Sequence, residues 1–360
     1  MKHLLFSVLL CVPFLIQSQD CNQLGVWMWY LEITEFDTHD ELADSLAKMG
    51  IKRIYVKVAD GTVNTNIWPE LVDVSVVEAY HNAGLEVWGW SYNYPNNSEA
   101  QAEALYIAAQ TGYDGFVIDV EMEFDNNPTT TEDLFHAFYN ARKQAIAEQI
   151  IDEKFKIYCT TWGNPKDHLF AIDKIDPYVD GFMPQTYVEI WGQTYLDNIT
   201  YWIEEGNKEY AELGATKPIH HIAAMESGVM SSEQVNEFIA ASGAETSIWR
   251  IPGGGTPLSI WNDWNDIEWS FDFCETSSAE GVFQNAIHIY PNPASSLLYL
   301  QASNKNNVVQ IIDMQGRMIK QYKTLHLQNQ IDVSSLRNGL YTIRIGSPED
   351  WSHHKVMILH

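Results

Sequence analysis

The chain has 360 residues, 48 of them acidic and 21 basic, for a formal net charge of −27. A charge of that sign and size disfavours nucleic acid and anionic membrane surfaces, which are themselves polyanions. A hydrophobic fraction of 46% with 19% charged residues is that of a folded chain. The 13 Trp, 18 Tyr and 14 Phe supply flat faces suited to sugar stacking as well as bulk for a core.

In chain order, Met1-Lys2-His3 precedes an apolar run from Leu4 to Ile16, and Gln17-Ser18-Gln19 follows. A basic start, a short apolar stretch and a small polar end predict a secretory signal peptide over residues 1–19. Neither this run nor any later one is long enough to span a bilayer as a helix. The mature chain is therefore expected to be exported, with no stable membrane span. Cys11 lacks the preceding small residues of a lipid-attachment site. Cys21 and Cys274 flank the repeat described next and would be neighbours in a closed barrel, where an oxidising compartment could pair them. Cys159, in an apolar strand, is expected to be a buried free thiol.

Between Leu24 and Trp269 strand and helix patterns alternate eight times. The expected strands are Gly25–Leu31, Arg53–Ala59, Glu86–Tyr92, Gly115–Glu123, Lys156–Trp162, Gly181–Tyr187, Ile219–Met225 and Thr246–Ile251. Helical patterns include Glu41–Met49, Ser98–Gln110, Thr131–Gln149, Leu196–Glu212 and Ser232–Ala241, with a weaker one around His168–Ile175. Gly50, Gly84, Gly112, Gly214 and Gly243 stand where a left-handed residue ends a helix before the next strand. Eight such units predict a (β/α)8 TIM barrel over residues 20–274, the fold taking about 250 residues. An open doubly wound sheet is the alternative, and it would usually show a Gly-rich first turn that this chain lacks.

Residues 275–286 are polar and read as a linker. From Ile287 onward the balance reverses to seven Lys/Arg against four Asp/Glu, and only one Trp remains. Short alternating runs (His288–Tyr290, Leu297–Gln301, Val308–Asp313, Gln330–Val333, Gly339–Ile345, His354–Leu359) are separated by Pro-Asn-Pro, Gln-Gly and Asn-Gly. They predict a small antiparallel β-sandwich over residues 287–360. In order and spacing, Tyr290-Pro291-Asn292-Pro293, Asp313-Met314-Gln315-Gly316-Arg317, Asp332-Val333-Ser334-Ser335-Leu336 and Asn338-Gly339-Leu340-Tyr341 resemble the C-terminal type A sorting domain of the Bacteroidota type IX secretion system. The resemblance implies that a translocon reads this domain and that the protein is secreted or held at the cell surface.

Barrel enzymes carry their catalytic groups at the C-terminal ends of the strands. The fourth expected strand runs through Asp119-Val120-Glu121-Met122-Glu123. A two-residue period puts Asp119, Glu121 and Glu123 on one face, with Ile118, Val120 and Met122 toward the helices. Mutual repulsion raises the pKa of at least one carboxyl, which suits a general acid beside an ionised partner. The alternative is a solvated strand end with incidental acids. This segment resembles the fourth strand of glycoside hydrolase family 25 lysozymes, whose Asp-x-Glu motif carries the catalytic carboxylates. By that resemblance Glu121 is the general acid and Asp119 tunes it or positions the sugar, while Glu123 is extra. Family 18 chitinase-like barrels end this strand similarly, although their two further upstream Asp residues are absent.

On the sixth expected strand Gln185, Tyr187 and Glu189 alternate onto one face. Family 18 has a related Met-x-Tyr, and by that resemblance Tyr187 would hold an N-acetyl group in a substrate-assisted mechanism. Trp90, Tyr92 and Trp249 are expected as sugar-stacking walls, chosen from strand-end aromatics that also include Trp27, Trp29, Trp88 and Trp162. Lys57, Asp60 and Glu226 are further polar candidates. His220 and His221 are adjacent on a strand and face opposite ways, and no Cys-x-x-Cys or phosphate loop occurs, so no metal and no cofactor is expected. Family 25 enzymes carry an Asp on the first strand, and Leu24–Leu31 has none. Three readings therefore stand: a secreted glycoside hydrolase acting on a polysaccharide such as peptidoglycan or another N-acetyl-sugar polymer, a non-catalytic carbohydrate-binding barrel, or a surface-exposed structural or adhesive protein with no deep acidic cleft at the end of the fourth strand.

Overall fold

The computed structural model describes residues 23–61, 66–267, 269, 288–290, 294–301, 308–313, 317–323, 328–347 and 350–360. The expected signal peptide, Cys21, Cys274 and the 275–286 linker lie outside them. Compactness divides the chain between Ser278 and Ala279.

In the first unit eight parallel strands close on themselves: β1 (Gly25–Met28), β2 (Arg53–Asp60), β4 (Glu86–Tyr92), β5 (Gly115–Asp119), β6 (Lys156–Trp162), β7 (Gly181–Gln185), β8 (Ile222–Ala224) and β9 (Ser247–Trp249). Pairing of β1 with both β2 and β9 completes the ring, and the two-residue β3 (Asn66–Ile67) runs antiparallel beside β2. The fold is a (β/α)8 TIM barrel. Its outer layer comprises α1 (His39–Met49), α2 (Val74–Asn82), α3 (Ser98–Thr111), α4 (Pro128–Ala147), the short α5 (Ile172–Ile175), α6 (Val188–Trp191) and α7 (Gln193–Leu196), then α8 (Ile199–Glu212), α9 (Ser232–Ser242) and α10 (Ile260–Asn265). Helix ends follow local chemistry. Thr38 accepts the Glu41 N–H at the start of α1, and Gly50 ends it at φ 95°, a conformation that costs other residues a Cβ clash.

The barrel interior explains much of the aromatic excess. Tyr55, Trp88 and Tyr158 are buried inside, each reaching over a glycine of a neighbouring strand. A Cβ at Gly115 would lie 2.6 Å from the Trp88 ring, and one at Gly25 2.8 Å from Tyr55. Rings and glycines thus interlock in layers across adjacent strands. Beneath them Arg53 is buried, pairs with Glu86 at 2.7 Å and lies 4.3 Å from the Trp88 ring centroid. Burial of so many rings leaves only some of them for a ligand.

Several expected strands run too long. β5 stops at Asp119, whose carbonyl oxygen accepts both the backbone and the side-chain amide of Asn93, and a 3-10 turn over Met122–Phe124 follows. Met122 is consequently exposed rather than turned toward the helices. β1 stops at Met28 and β7 at Gln185, and α6 begins at Val188, so Glu189, read by strand alternation, lies on a helix. The pattern over Leu196–Glu212 is broken at Asp197-Asn198 into α7 and α8. Cys159 is a buried free thiol.

The second unit contains β10 (His288–Tyr290), β11 (Leu297–Gln301) and β14 (Gln328–Asp332) in one antiparallel sheet. A second holds β13 (Met318–Lys323), β12 (Val308–Ile312), β15 (Gly339–Ser347) and β16 (Asp350–Ile358). Leu298, Leu300 and Ile331 of the first sheet share one buried cluster with Val309, Ile311, Ile343, Ile345, Val356 and Ile358 of the second. Such interdigitation of two inner faces defines a sandwich core. Strand β13 was not among the expected runs.

Candidate active site

The C-terminal mouth of the barrel gathers the acids that the sequence singled out, by a different route from simple alternation. Asp119 is the last residue of β5 and is buried; Glu121 lies two residues on, in the turn, and is half-buried. Gln185, at the end of β7, donates from the same Nε2 to Asp119 Oδ1 at 3.2 Å and to Glu121 Oε1 at 3.0 Å. One amide group has two N–H donors, so it can serve both carboxyls at once. Glu123 turns aside to accept from the Tyr92 hydroxyl at 2.8 Å.

Burial pushes the Asp119 carboxyl well above its usual range, and the neighbouring Glu121 adds to the shift while Lys57 opposes it. Burial also raises Glu121, against the bond from Gln185, which favours the ionised form. Lys57 is the nearby cation. It is buried, pairs with Asp60 at 2.8 Å and sits 5.1 Å from the Trp90 ring centroid and 5.9 Å from that of Tyr92.

A cavity of about 100 Å³ opens on this pair, walled by Trp27, Thr160, Tyr187, Ile222 and Trp249. Trp249 is half-buried and meets Trp27 edge-on, with ring centroids 6.2 Å apart. Its peptide bond to Arg250 is cis. Burial raises the Tyr187 hydroxyl pKa well above the ordinary value, so that hydroxyl stays a donor at neutral pH.

Other expected ligand contacts have structural partners instead. Trp90 is 2% exposed, donates its indole N–H to the Met28 carbonyl and lies against Trp27 and Trp249, so it buttresses the wall from behind. Glu189 is buried on α6 and accepts from the backbone N–H groups of Glu226, Ser227, Val229 and Met230 at 2.8–3.2 Å. Its carboxylate holds the loop after β8. Asp60 is engaged by Lys57, Tyr92 by Glu123, and Glu226 by Arg250 at 2.9 Å. Thr160 and Ile222 were not anticipated. Thr160 stands beside Asp119 in the β5–β6 register, and the polar Thr160-Thr161 pair in an otherwise apolar strand was the available signal. Among the described residues no group of His, Cys, Asp and Glu could hold a metal ion, and no helix is long and apolar enough to cross a membrane.

Residues 288–359 match the family described as "Secretion system C-terminal sorting domain". The tail is thus a sorting domain of the type IX kind, which indicates export to the cell surface or secretion. No curated protein matches the sequence. Among solved structures, an endo-β-1,4-mannanase from Thermotoga petrophila matches with a TM-score of 0.50 at 11% identity, over 94% of this chain and 98% of that one. An endo-1,4-β-mannanase from Rhizomucor miehei gives 0.49 at 9% identity, covering 71% and 95%. A class V chitinase from Nicotiana tobaccum gives 0.44 at 13%, covering 57% and 67%. At such identities the first of these speaks for the barrel fold alone.

Proposed function

We propose that the barrel is a glycoside hydrolase that cleaves a polysaccharide by acid catalysis from Glu121. The observation that carries this reading is the Asp119–Glu121 pair, bridged by one Gln185 amide and facing a cavity walled by Trp249 and Tyr187. Glu121 is the more exposed of the two carboxyls, so it is the one a glycosidic oxygen can reach. Its raised pKa lets it keep a proton to deliver.

The size of the cavity narrows the substrate. Water takes about 30 Å³ in the liquid, so 100 Å³ has room for only a few atoms. That suits a substituent such as an acetamido arm, with the sugar ring lying across the mouth against Trp249. Transfer of the Glu121 proton to the leaving oxygen would then accompany rupture of the bond to the anomeric carbon. The acetamido oxygen closes onto that carbon, while Asp119 accepts from the acetamido N–H and Tyr187 donates to its oxygen. Water opens the resulting ring and returns a proton to Glu121. This is the substrate-assisted exception to the two-carboxylate scheme.

The test is reducing-end release by the protein on peptidoglycan, chitin and mannan, with Glu121→Gln alongside. The reading expects release on an N-acetyl-sugar polymer and a loss of at least about 100-fold in the variant, the size of a general-acid contribution. Binding to one of these polymers without release by either protein would overturn it in favour of a carbohydrate-binding barrel.

A further inference from the structure

Beside the candidate active site lies a second and larger cleft. It occupies about 320 Å³ between the loop after β6 and helices α6, α7 and α8. Its backing is shared with the first site: at Gly163, which lines the cleft, a Cβ would lie 2.7 Å from the Gln185 carbonyl oxygen and 2.8 Å from the Trp191 ring. The residue whose amide bridges Asp119 and Glu121 therefore stands directly behind the cleft wall.

Three rings and three carboxylates line it. Trp191, Tyr195 and Trp202 pack on one another, with centroids 5.4 Å apart and edge-on for the first pair, 4.5 Å apart and tilted for the second. Mutual packing fixes the rings in advance, so little side-chain freedom is lost when a ligand arrives. The Trp202 indole N–H is buried and has no hydrogen-bond partner. Asp167, Glu205 and Glu209 supply acceptors. Each is only lightly engaged: Asp167 by the Asn164 side chain at 3.0 Å, Glu205 by Lys208 at 3.3 Å and Glu209 by the Lys166 backbone N–H at 3.3 Å. An ionised carboxylate has about four acceptor positions, so most remain open.

We propose that this cleft is a second sugar-binding site, taking an uncharged hexose unit. A pyranose offers an apolar face for a ring and a rim of hydroxyl donors for carboxylates, and it carries no charge for the three acids to repel. The volume is in the range of small-molecule sites, roughly 300–1,000 Å³. That both sites hold units of one polymer rests on the hydrolase reading. The chemistry of the cleft stands without it.

The experiment is calorimetric titration of the full chain carrying Glu121→Gln with the tetramers of N-acetylglucosamine, mannose and glucose. A tetramer of galacturonic acid serves as the charged control. The expected result is two sites per chain for at least one neutral tetramer, reduced to one when Asp167→Ala and Glu205→Ala are added. Both residues are partly or fully exposed, so the added changes spare the core. A single site that the double change abolishes keeps the cleft and removes the barrel mouth as a sugar site. The proposal is overturned by a single site that the double change leaves intact, by no binding of any neutral tetramer, or by galacturonate binding in the cleft as tightly as they do.

Discussion

Asp119 ties the site to the stability of the fold. Burial and Glu121 raise its carboxyl well above the ordinary value of about 4. The native chain therefore keeps a proton that the unfolded chain releases once the pH passes about 4. Between that pH and the raised native pKa the native state binds more protons, so stability falls as pH rises through the interval. Asp119→Asn removes the ionisable group. The variant is expected to melt higher than the natural protein at pH 7, with the difference shrinking toward pH 4; an equal or lower melting temperature at pH 7 contradicts the assignment. Glu189 supports the fold through its hydrogen bonds. It takes four backbone N–H bonds on its two oxygens, and Glu189→Ala would strand those donors. The expected loss is about 3 kcal/mol, readable by urea denaturation. A loss below about 0.5 kcal/mol, the scale of an ordinary surface change, would mean that the loop after β8 does not depend on it.

At the scale of the elements, the glycines inside the barrel are as specific as the rings they face. Gly115→Ala places a methyl 2.6 Å from the buried Trp88 ring, which packs against Tyr55 and Tyr158. Overpacking of this kind costs about 1–3 kcal/mol, and a matching drop in the urea midpoint is the expected measurement. The same elements explain what could be read from the sequence. Strand–helix alternation and glycines at the helix ends made the barrel legible, because both are local signals. Side-chain parity carried the site only as far as the ladders ran. It put Asp119 and Gln185 near strand ends, where β5 and β7 stop, yet it assigned Met122 toward the helices when the chain had already left β5 for a turn. Trp90 shows another limit. Alternation says which face a ring takes and says nothing of its depth, and Trp90 proved to lie one layer below the mouth. Glu189 had no local signal at all, since its partners come from a loop 37 to 41 residues later.

The whole molecule divides its tasks along the chain. A strongly acidic barrel carries the candidate chemistry, and a sorting domain with more basic than acidic residues carries the export signal. Removal of residues 288–360 is expected to leave the protein inside the cell envelope, as read by surface protease accessibility and by its absence from the medium. Undiminished appearance outside would separate export from the tail.

The claim that Glu121 is the proton donor is tested most directly by changing how much the leaving group needs that proton. Turnover of the polysaccharide and of an aryl N-acetylglycoside with a good leaving group is compared for the natural protein, Glu121→Gln and Asp119→Asn. With Glu121 as the acid, Glu121→Gln loses the polysaccharide reaction and keeps most of bond cleavage on the activated glycoside, whereas Asp119→Asn loses both. Equal losses on the two substrates in Glu121→Gln would contradict that role.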